Sequence, residues 1–278
     1  MKFTVKNITT DFSVYAISSI GKKILIGGTN NKLLIYEENN FKELASHKKS
    51  IKCTASFQNI FGCGSYDCTA TIFREGKLFD EVFGPETEIK GIAINEKYIA
   101  LATRGKTVWV VKYDLEIEID TVLEDHTQDI KGCCFNNNRL FTYSYDGTIK
   151  IYEKNDSLDS WELIQSIYEG NTVWDISFTN DHLVSANDDG YIRVYSMYDE
   201  YVLIREISAS LYPIHSICTF KENICFILNR DHLCIIDLEG NILEKIEKMN
   251  EINCLNYSEE MNSILVGQNG SFKIINII

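Results

Sequence analysis

The sequence has few of the features that mark membrane-spanning, secreted or multidomain proteins. Its 278 residues include only two prolines, Pro85 and Pro213, and no Gly/Ser-rich linker. No apolar run approaches the roughly 18 residues that a membrane-spanning helix needs. The N-terminal residues MKFTVKNITTDF alternate in polarity and have no apolar core of a signal peptide. We therefore expect a single soluble, cytoplasmic domain over residues 1–278.

Basic side chains and paired cysteines are also scarce. The 27 lysines and arginines are outnumbered by 40 aspartates and glutamates, which gives a formal net charge of −13. Binding to duplex nucleic acid depends on phosphate contacts from lysine and arginine, so this balance argues against it. The nine cysteines are odd in number, scattered and free of a CxxC motif, which argues against a disulfide framework.

Sequence motifs of catalysis and metal binding are missing. The chain contains no GxSxG, HExxH or P-loop motif, and its five histidines are too dispersed for a zinc pattern. We expect no enzyme activity, no cofactor and no metal. A propeller hydrolase is a remote alternative that would need an acid/base or metal cluster in a central channel.

The main positive feature is an internal repeat. Seven segments begin with an apolar residue and then alternate, and their first residues lie 37 to 43 residues apart. They begin at Val14, Ile51, Ile89, Ile130, Val173, Ile214 and Ile252. This period fits a four-stranded propeller blade and exceeds that of most helical repeats.

Short strands with a period of two residues follow each segment and are rich in β-branched and aromatic residues. The sequence therefore predicts an all-β, seven-bladed WD-repeat β-propeller with essentially no helix. The last unit, at about 250–278, has only three predicted strands. We expect residues 2–5 to supply its fourth strand, which would close the ring and cover an exposed sheet edge.

Histidine–aspartate pairs occur in two units. His47 precedes Asp67 and His126 precedes Asp146, each beside a turn between predicted strands. Such a grouping suggests a catalytic triad, but a catalytic constellation would appear once. The recurrence favours a structural role in tying each turn to its neighbouring loop, since buried polar groups need partners.

The repeat register predicts two rings of side chains on one face. The residue after each starting position gives Tyr15, Lys52, Lys90, Lys131, Trp174, His215 and Asn253. The second ring is defined by the turn between the second and third predicted strands of each unit. The residue just before the aspartate position of that turn gives Thr29, Tyr66, Arg104, Tyr145, Asp188, Asn229 and Gln268. Both rings should surround one mouth of the central channel.

Units two to five concentrate basic and aromatic residues in these rings. The predicted protein-binding residues are Arg104, Lys52, Lys90, Lys131, Tyr66, Tyr145 and Trp174. Exposed arginine and tyrosine commonly form interface hot spots, and arginine pairs well with carboxylates. We expect this surface to bind an acidic or C-terminal peptide with an aromatic or apolar residue. The alternative is an ordinary surface with lysines and no site.

The ordered strings in units two to five resemble a known family. HKKSIKCTASF with GSYDCTATIF, TRGKTVWVV, VLEDHTQDIKGCCF with SYDGTIKIY, and GNTVWDISF carry the resemblance. They are similar to the WD-repeat scaffold subunit of the cytosolic iron–sulfur protein assembly (CIA) targeting complex. Arg104 matches a functionally important arginine of that family. Gly105 departs from the family's aspartate, so a looser hairpin is expected there.

The resemblance implies a non-catalytic scaffold that helps deliver iron–sulfur clusters to cytosolic and nuclear apoproteins. Its implied partners are a small cysteine-bearing subunit, a large helical-repeat subunit, and apoprotein clients, some with C-terminal tails that end in an aromatic residue. It also implies a cytoplasmic location that extends to the nucleus. A generic WD-repeat scaffold in RNA processing or protein degradation remains the alternative.

Overall fold

The regular structure of the protein consists of β-strands throughout the residues that are described, 2–198, 200–247 and 249–278, in a computed structural model. No helix occurs in these ranges. Accordingly, none of the described elements is a helix of the length and apolarity that crossing a membrane requires. The strands are β1 (Phe3–Ile20), β2 (Lys23–Gly28), β3 (Lys32–Glu37), β4 (Asn40–Ser46), β5 (Ile51–Phe57), β6 (Ile60–Ser65), β7 (Thr69–Arg74), β8 (Lys77–Phe83), β9 (Ile89–Ile94), β10 (Tyr98–Thr103), β11 (Val108–Tyr113), β12 (Ile117–Leu123), β13 (Ile130–Asn136), β14 (Arg139–Ser144), β15 (Thr148–Asn155), β16 (Ser160–Tyr168), β17 (Val173–Phe178), β18 (His182–Asn187), β19 (Tyr191–Ser196), β20 (Leu203–Ser208), β21 (Ile217–Phe220), β22 (Asn223–Leu228), β23 (His232–Asp237), β24 (Ile242–Ile246), β25 (Ile252–Ser258) and β26 (Ser263–Ile277).

The strands form six sheets, so the prediction of seven blades is wrong. Five sheets have four antiparallel strands each: β5–β8, β9–β12, β13–β16, β17–β20 and β21–β24. The sixth sheet has six strands in the order β25-β26-β1-β2-β3-β4. The first and last repeat units of the sequence therefore share one blade.

The long strand β1 causes this merger. Its first part pairs with the last strand of the chain, from Phe3 opposite Ile277 to Thr9 opposite Ser271. Its second part pairs with β2, up to Ile20 opposite Lys23. Because β1 continues without a turn between these pairings, hydrogen bonding runs across both units. The repeat period counts the units but does not show that the chain crosses from one to the next as an uninterrupted strand.

The apolar core lies between neighbouring sheets. One cluster packs Ile72 of β7 against Ile89 and Leu101 of the next sheet, and all three are fully buried. Near the axis, the innermost strands β9 and β13 approach so closely that a Cβ at Gly91 would lie 2.6 Å from the Gly132 Cα. These glycines allow the backbones to meet where a larger residue would push the sheets apart.

The turns between the second and third strands of several sheets contain a residue with positive φ. Gly147 and Gly190 occupy this position at φ values of 76° and 78°, and a Cβ at Gly190 would lie 2.1 Å from the Ser210 oxygen. Cys68 takes the corresponding place at 74° without the freedom of glycine. These turns also contain residues of the second predicted ring, since Tyr66, Tyr145 and Asp188 each lie two positions before the residue with positive φ.

Candidate functional site at the channel mouths

A central cavity of about 660 Å³ runs between the innermost strands. We call the face that bears the turns between second and third strands the upper face. The opposite, lower face bears the turns between first and second and between third and fourth strands, because successive strands are antiparallel. The cavity wall extends from Tyr15, Lys52 and Lys90 on the upper side to Ile94 and Phe178 on the lower side.

Two lysines of the upper mouth are held against aromatic rings. The Lys52 ammonium lies 4.2 Å from the centroid of the Tyr15 ring. The Lys131 ammonium lies 3.7 Å from the Trp174 ring centroid and 4.4 Å from that of Tyr145, and it donates a hydrogen bond to the Tyr145 hydroxyl at 3.1 Å. Neither lysine forms an ion pair within residues 2–198, 200–247 and 249–278. Cation–π attraction therefore holds both half-buried charges in place.

The other two basic residues of the predicted site are paired with carboxylates. Lys90 Nζ lies 3.0 Å from Asp129 Oδ2, and Arg104 Nε lies 3.6 Å from the same oxygen. Arg104 Nη1 also lies 3.4 Å from Glu88 Oε1, while 60% of its side chain remains exposed. The structure thus brings all four basic residues together but pairs only Lys90 and Arg104 with carboxylates.

The electrostatics of the mouth reflect this uncompensated charge. Burial, followed by the positive charges of Lys90 and Lys52, lowers the pKa of Lys131 to about 7. Burial also lowers the pKa of Lys52, and that of His215 is lowered by burial and by Arg230 and Lys131. An anion in the mouth would favour the protonated form of Lys131.

The aromatic residues of the predicted site form part of the same wall. Tyr145 and Trp174 pack edge to face at 5.5 Å, and Trp174 packs on His215 at 4.3 Å. The Trp174 indole donates to Asp188 Oδ1 at 2.9 Å, which fixes the ring. Tyr66 is half-buried, and the pKa of its phenol is raised by burial and then by Cys53 and Glu88. Among these three, Tyr145 and Trp174 contact a lysine.

One channel residue, Asp175, was missed by the sequence reasoning. Its carboxylate accepts hydrogen bonds from the Tyr143 and Ser216 hydroxyls at 3.0 and 2.9 Å, and from the Ile176 and Ile217 amides at 3.0 Å. Burial raises its pKa to about 6, although these four donors oppose the shift. It directly follows Trp174, so the ring of residues one position further on would have revealed it. Asp175 joins three successive sheets through the channel wall.

A second missed feature is a groove of about 640 Å³ on the lower face. Ile94 and Phe135 line both this groove and the central cavity, so it opens beside the lower mouth. Trp161 forms part of its wall. Trp161 lies in a fourth strand, outside the inner rings that the sequence reasoning used.

The lower turns are strongly acidic in the described part of the chain. They contain three lysines, Lys22, Lys97 and Lys221, and no arginine. Their thirteen carboxylates are Glu38, Glu75, Glu96, Asp114, Glu116, Asp156, Asp159, Asp181, Glu200, Glu222, Glu239, Glu259 and Glu260. The net negative charge of the chain is therefore concentrated on this face.

The histidine–aspartate pairs make the same Nδ1 contact in both units, while Nε2 contacts a threonine of the second strand in one unit and of the third strand in the other. His126 Nδ1 lies 2.8 Å from Asp146 Oδ2, and its Nε2 lies 2.8 Å from the Thr142 hydroxyl. His47 lies 3.2 Å from Asp67 in the same way, with Thr71 3.0 Å from its Nε2. These imidazoles are buried and engaged on both nitrogens, which fits the structural interpretation of the pairs.

The Gly105 hairpin keeps internal hydrogen bonds despite the missing aspartate. The Thr103 hydroxyl lies 2.9 Å from that of Thr107 and accepts from the Gly105 amide at 3.2 Å. The Gly105 amide contact repeats that of the Asp67 amide with the Ser65 hydroxyl, whereas the Thr107 hydroxyl contacts Thr103 in place of the aspartate that Thr69 contacts in unit two. The turn holds Arg104 at the edge of the upper mouth.

Several cysteine side chains line the central cavity. Cys133 and Cys134 belong to different apolar clusters, which agrees with side chains on opposite faces of β13. Burial raises the pKa of Cys133 and Cys254 to about 12. Within the described ranges, no three His, Cys, Asp or Glu side chains are grouped to hold a metal ion.

Comparison with known proteins supports a WD-repeat protein. Residues 118–153 and 161–196 match the family model described as WD domain, G-beta repeat. The solved WD40 beta propeller domain of Doa1 matches with a TM-score of 0.83 and 14% sequence identity, over 98% of this chain and 96% of that chain. No curated protein sequence matches. At this identity the structural likeness shows the fold alone, a WD40 β-propeller. Together with the matched WD repeats, this fold is typical of protein-interaction scaffolds.

Proposed function

We propose that this chain is a non-catalytic scaffold of the cytosolic iron–sulfur protein assembly targeting complex, in which it helps deliver clusters to cytosolic and nuclear apoproteins. The upper mouth is the working surface of this proposal. The observation that carries it is the pair of half-buried lysines, Lys52 and Lys131, which have no carboxylate partner among the described residues and lie beside the exposed Arg104.

A peptide tail fits this arrangement by charge and by shape. A terminal carboxylate between Lys52 and Lys131 would supply the missing negative charge. The edges of Tyr145 and Trp174 would contact an aromatic or apolar side chain of the tail. Arg104 is exposed enough to exchange Glu88 and Asp129 for a carboxylate of the ligand.

The proposal assigns three classes of partner, in the cytoplasm and nucleus. They are the small cysteine-bearing subunit, the large helical-repeat subunit, and apoproteins that are recognised through acidic or aromatic-ended tails. The sequence strings of units two to five support this pathway. The contacts of the upper mouth support the mode of client binding.

Affinity purification of the tagged chain from its native cytoplasm, followed by mass spectrometry, tests the pathway. We expect both assembly subunits and iron–sulfur apoproteins to co-purify. Recovery of an RNA-processing or degradation complex without these subunits would replace the proposal with the generic scaffold.

The double variant Arg104→Glu/Lys131→Glu tests the binding surface. We expect it to lose the apoproteins, because two attractive contacts become repulsive. A matched double reversal, Arg205→Glu/Lys245→Glu, lies on the outer strands β20 and β24 and should retain them. Unchanged client binding by the first variant would remove the upper mouth from the proposal.

A further inference from the structure

The lower groove is walled by aromatic and aliphatic side chains from three successive sheets. Phe57, Ile94 and Phe135 come from the lower ends of the innermost strands β5, β9 and β13. Tyr98 and Trp161 also line it and pack edge to face at 5.1 Å, and polar and charged residues form the rest of the lining. The groove is therefore large enough and apolar enough to bind a bulky side chain.

Trp161 is held rigidly before any ligand binds. Its indole Nε1 donates to Asp120 Oδ2 at 2.8 Å. The same carboxylate accepts from Lys154, whose ammonium also lies 2.9 Å from Asp159. These contacts satisfy the polar atoms beside Trp161, so its ring presents an apolar surface at little further entropic cost.

The rim of this groove is negative. Its charged lining residues are the exposed Glu96, Lys97 and Asp156, together with Lys154, whose ammonium is engaged by Asp120 and Asp159. When these two partners are counted, four carboxylates surround two ammonium groups. The pKa of the Tyr98 phenol is raised, first by burial and then by Asp120 and other nearby carboxylates, against the opposing effect of Lys154. The surrounding lower turns continue the same charge over the whole face.

We propose that the lower groove binds an extended basic segment of a partner protein, with one aromatic or large aliphatic side chain inserted beside Trp161. Lysines or arginines on either side of that side chain pair with Glu96 and Asp156. Charge complementarity selects this occupant, because a second copy that presents the same lower face would bring one acidic face against another.

The test uses two fluorescein-labelled synthetic peptides with the full chain. One has a central Leu-Phe pair flanked by lysines, and the other has glutamates in place of the lysines. We expect the basic peptide to bind and to change the fluorescence of Trp161, and the acidic peptide to leave it unchanged. The double reversal Glu96→Lys/Asp156→Lys should weaken basic-peptide binding about tenfold at low salt.

The matched control is Glu38→Lys/Glu259→Lys, which changes the same charge on the same face in the first and last repeat units. It should stay within about twofold of the unmodified protein, since these residues lie outside the groove. Absent binding of the basic peptide, or equal loss in both double variants, would overturn the proposal. Concentration-dependent dimerisation in sedimentation that is abolished by Glu96→Lys/Asp156→Lys would also overturn it and would assign the groove to a second copy.

Discussion

The two mouths of the channel place a tryptophan in opposite electrostatic surroundings. At the upper mouth, Trp174 contacts the uncompensated Lys131 ammonium and donates to the rim carboxylate Asp188. In the lower groove, Trp161 donates to Asp120, a carboxylate already paired with Lys154. The indole of Trp174 thus lies beside unpaired positive charge, and the indole of Trp161 lies beside excess negative charge. One propeller can therefore separate two kinds of partner by charge while using similar aromatic surfaces.

The largest effect is expected at Asp175, because it belongs to the wall that both mouths share. Asp175→Ala leaves four donors in the channel wall without their acceptor. We expect a loss of about 3 kcal/mol in the free energy of unfolding, measured with urea. Asp188→Ala removes the acceptor of one rim indole and should cost about 1 kcal/mol. Equal losses in both variants would contradict the role given to Asp175.

Asp175 also gives the stability a defined dependence on pH. Its folded-state pKa is raised to about 6, so between its ordinary value and about pH 6 the folded protein holds a proton that the unfolded chain releases. The contribution of this proton to the free energy of unfolding is present at lower pH and is lost as the pH rises through about 6. We expect urea unfolding over this pH range to show that the free energy of unfolding of Asp175→Asn lacks the part of the pH dependence that comes from Asp175. If the free energy of unfolding depends on pH in the same way in the unmodified protein and in Asp175→Asn, the pKa of Asp175 is not raised.

The next largest expected effect is a pH dependence of ligand affinity at the upper mouth, which the lower groove should lack. The pKa of Lys131 is lowered to about 7, so a carboxylate ligand must restore its proton above that pH. We expect the affinity for an acidic, aromatic-ended tail to fall, by at most about tenfold per unit, as the pH rises from about 6 to about 8. Calorimetry in two buffers should detect proton uptake at the higher pH.

The lower groove and a Lys131 variant provide the controls for this pH dependence. Basic-peptide binding should stay level over the same range, because the groups that pair with the peptide, Glu96 and Asp156, are carboxylates that stay ionised between pH 6 and pH 8. Lys131→Met keeps an apolar side chain against Trp174 but cannot titrate, so its tail binding should be weaker and flatter. An unchanged pH profile in Lys131→Met would assign the titration to another group.

A smaller effect tests whether the mouths act independently. Arg104→Glu/Lys131→Glu should leave basic-peptide affinity within about twofold, and Glu96→Lys/Asp156→Lys should do the same for the acidic tail. Fluorescence polarisation at two salt concentrations measures both affinities. Reciprocal losses larger than this would show coupling through the channel wall that both sites share.

The sequence predicted side-chain positions better than it predicted the division of strands into sheets. The repeat register placed Lys52 and Lys131 at the channel mouth, because equivalent positions of successive units surround the axis. The expectation that residues 2–5 pair with the last unit did not extend to the merger of two units, since β1 continues beyond its pairing with residues 271–277 into the first unit. The continuity of β1 between the two units is invisible in the local alternation of polar and apolar residues.

The same limits apply to the site. Lys90 and Arg104 share Asp129, which lies in a connecting loop outside both rings, so their neutralisation could not be read from the repeat. The lower groove depends on Trp161 of an outer strand packing over Tyr98 of the preceding sheet. Loop and outer-strand contacts of this kind are set by tertiary packing rather than by periodicity.

The smallest expected effect tells the two tryptophans apart. Trp174→Phe and Trp161→Phe each keep a ring and lose one indole hydrogen bond, to Asp188 or to Asp120, so each should cost about 1 kcal/mol. In tryptophan fluorescence titrations, the acidic tail should lose its signal in Trp174→Phe alone, and the basic peptide in Trp161→Phe alone. A tail signal that survives Trp174→Phe but disappears in Trp161→Phe would reverse the assignment, because the two rings lie in surroundings of opposite charge.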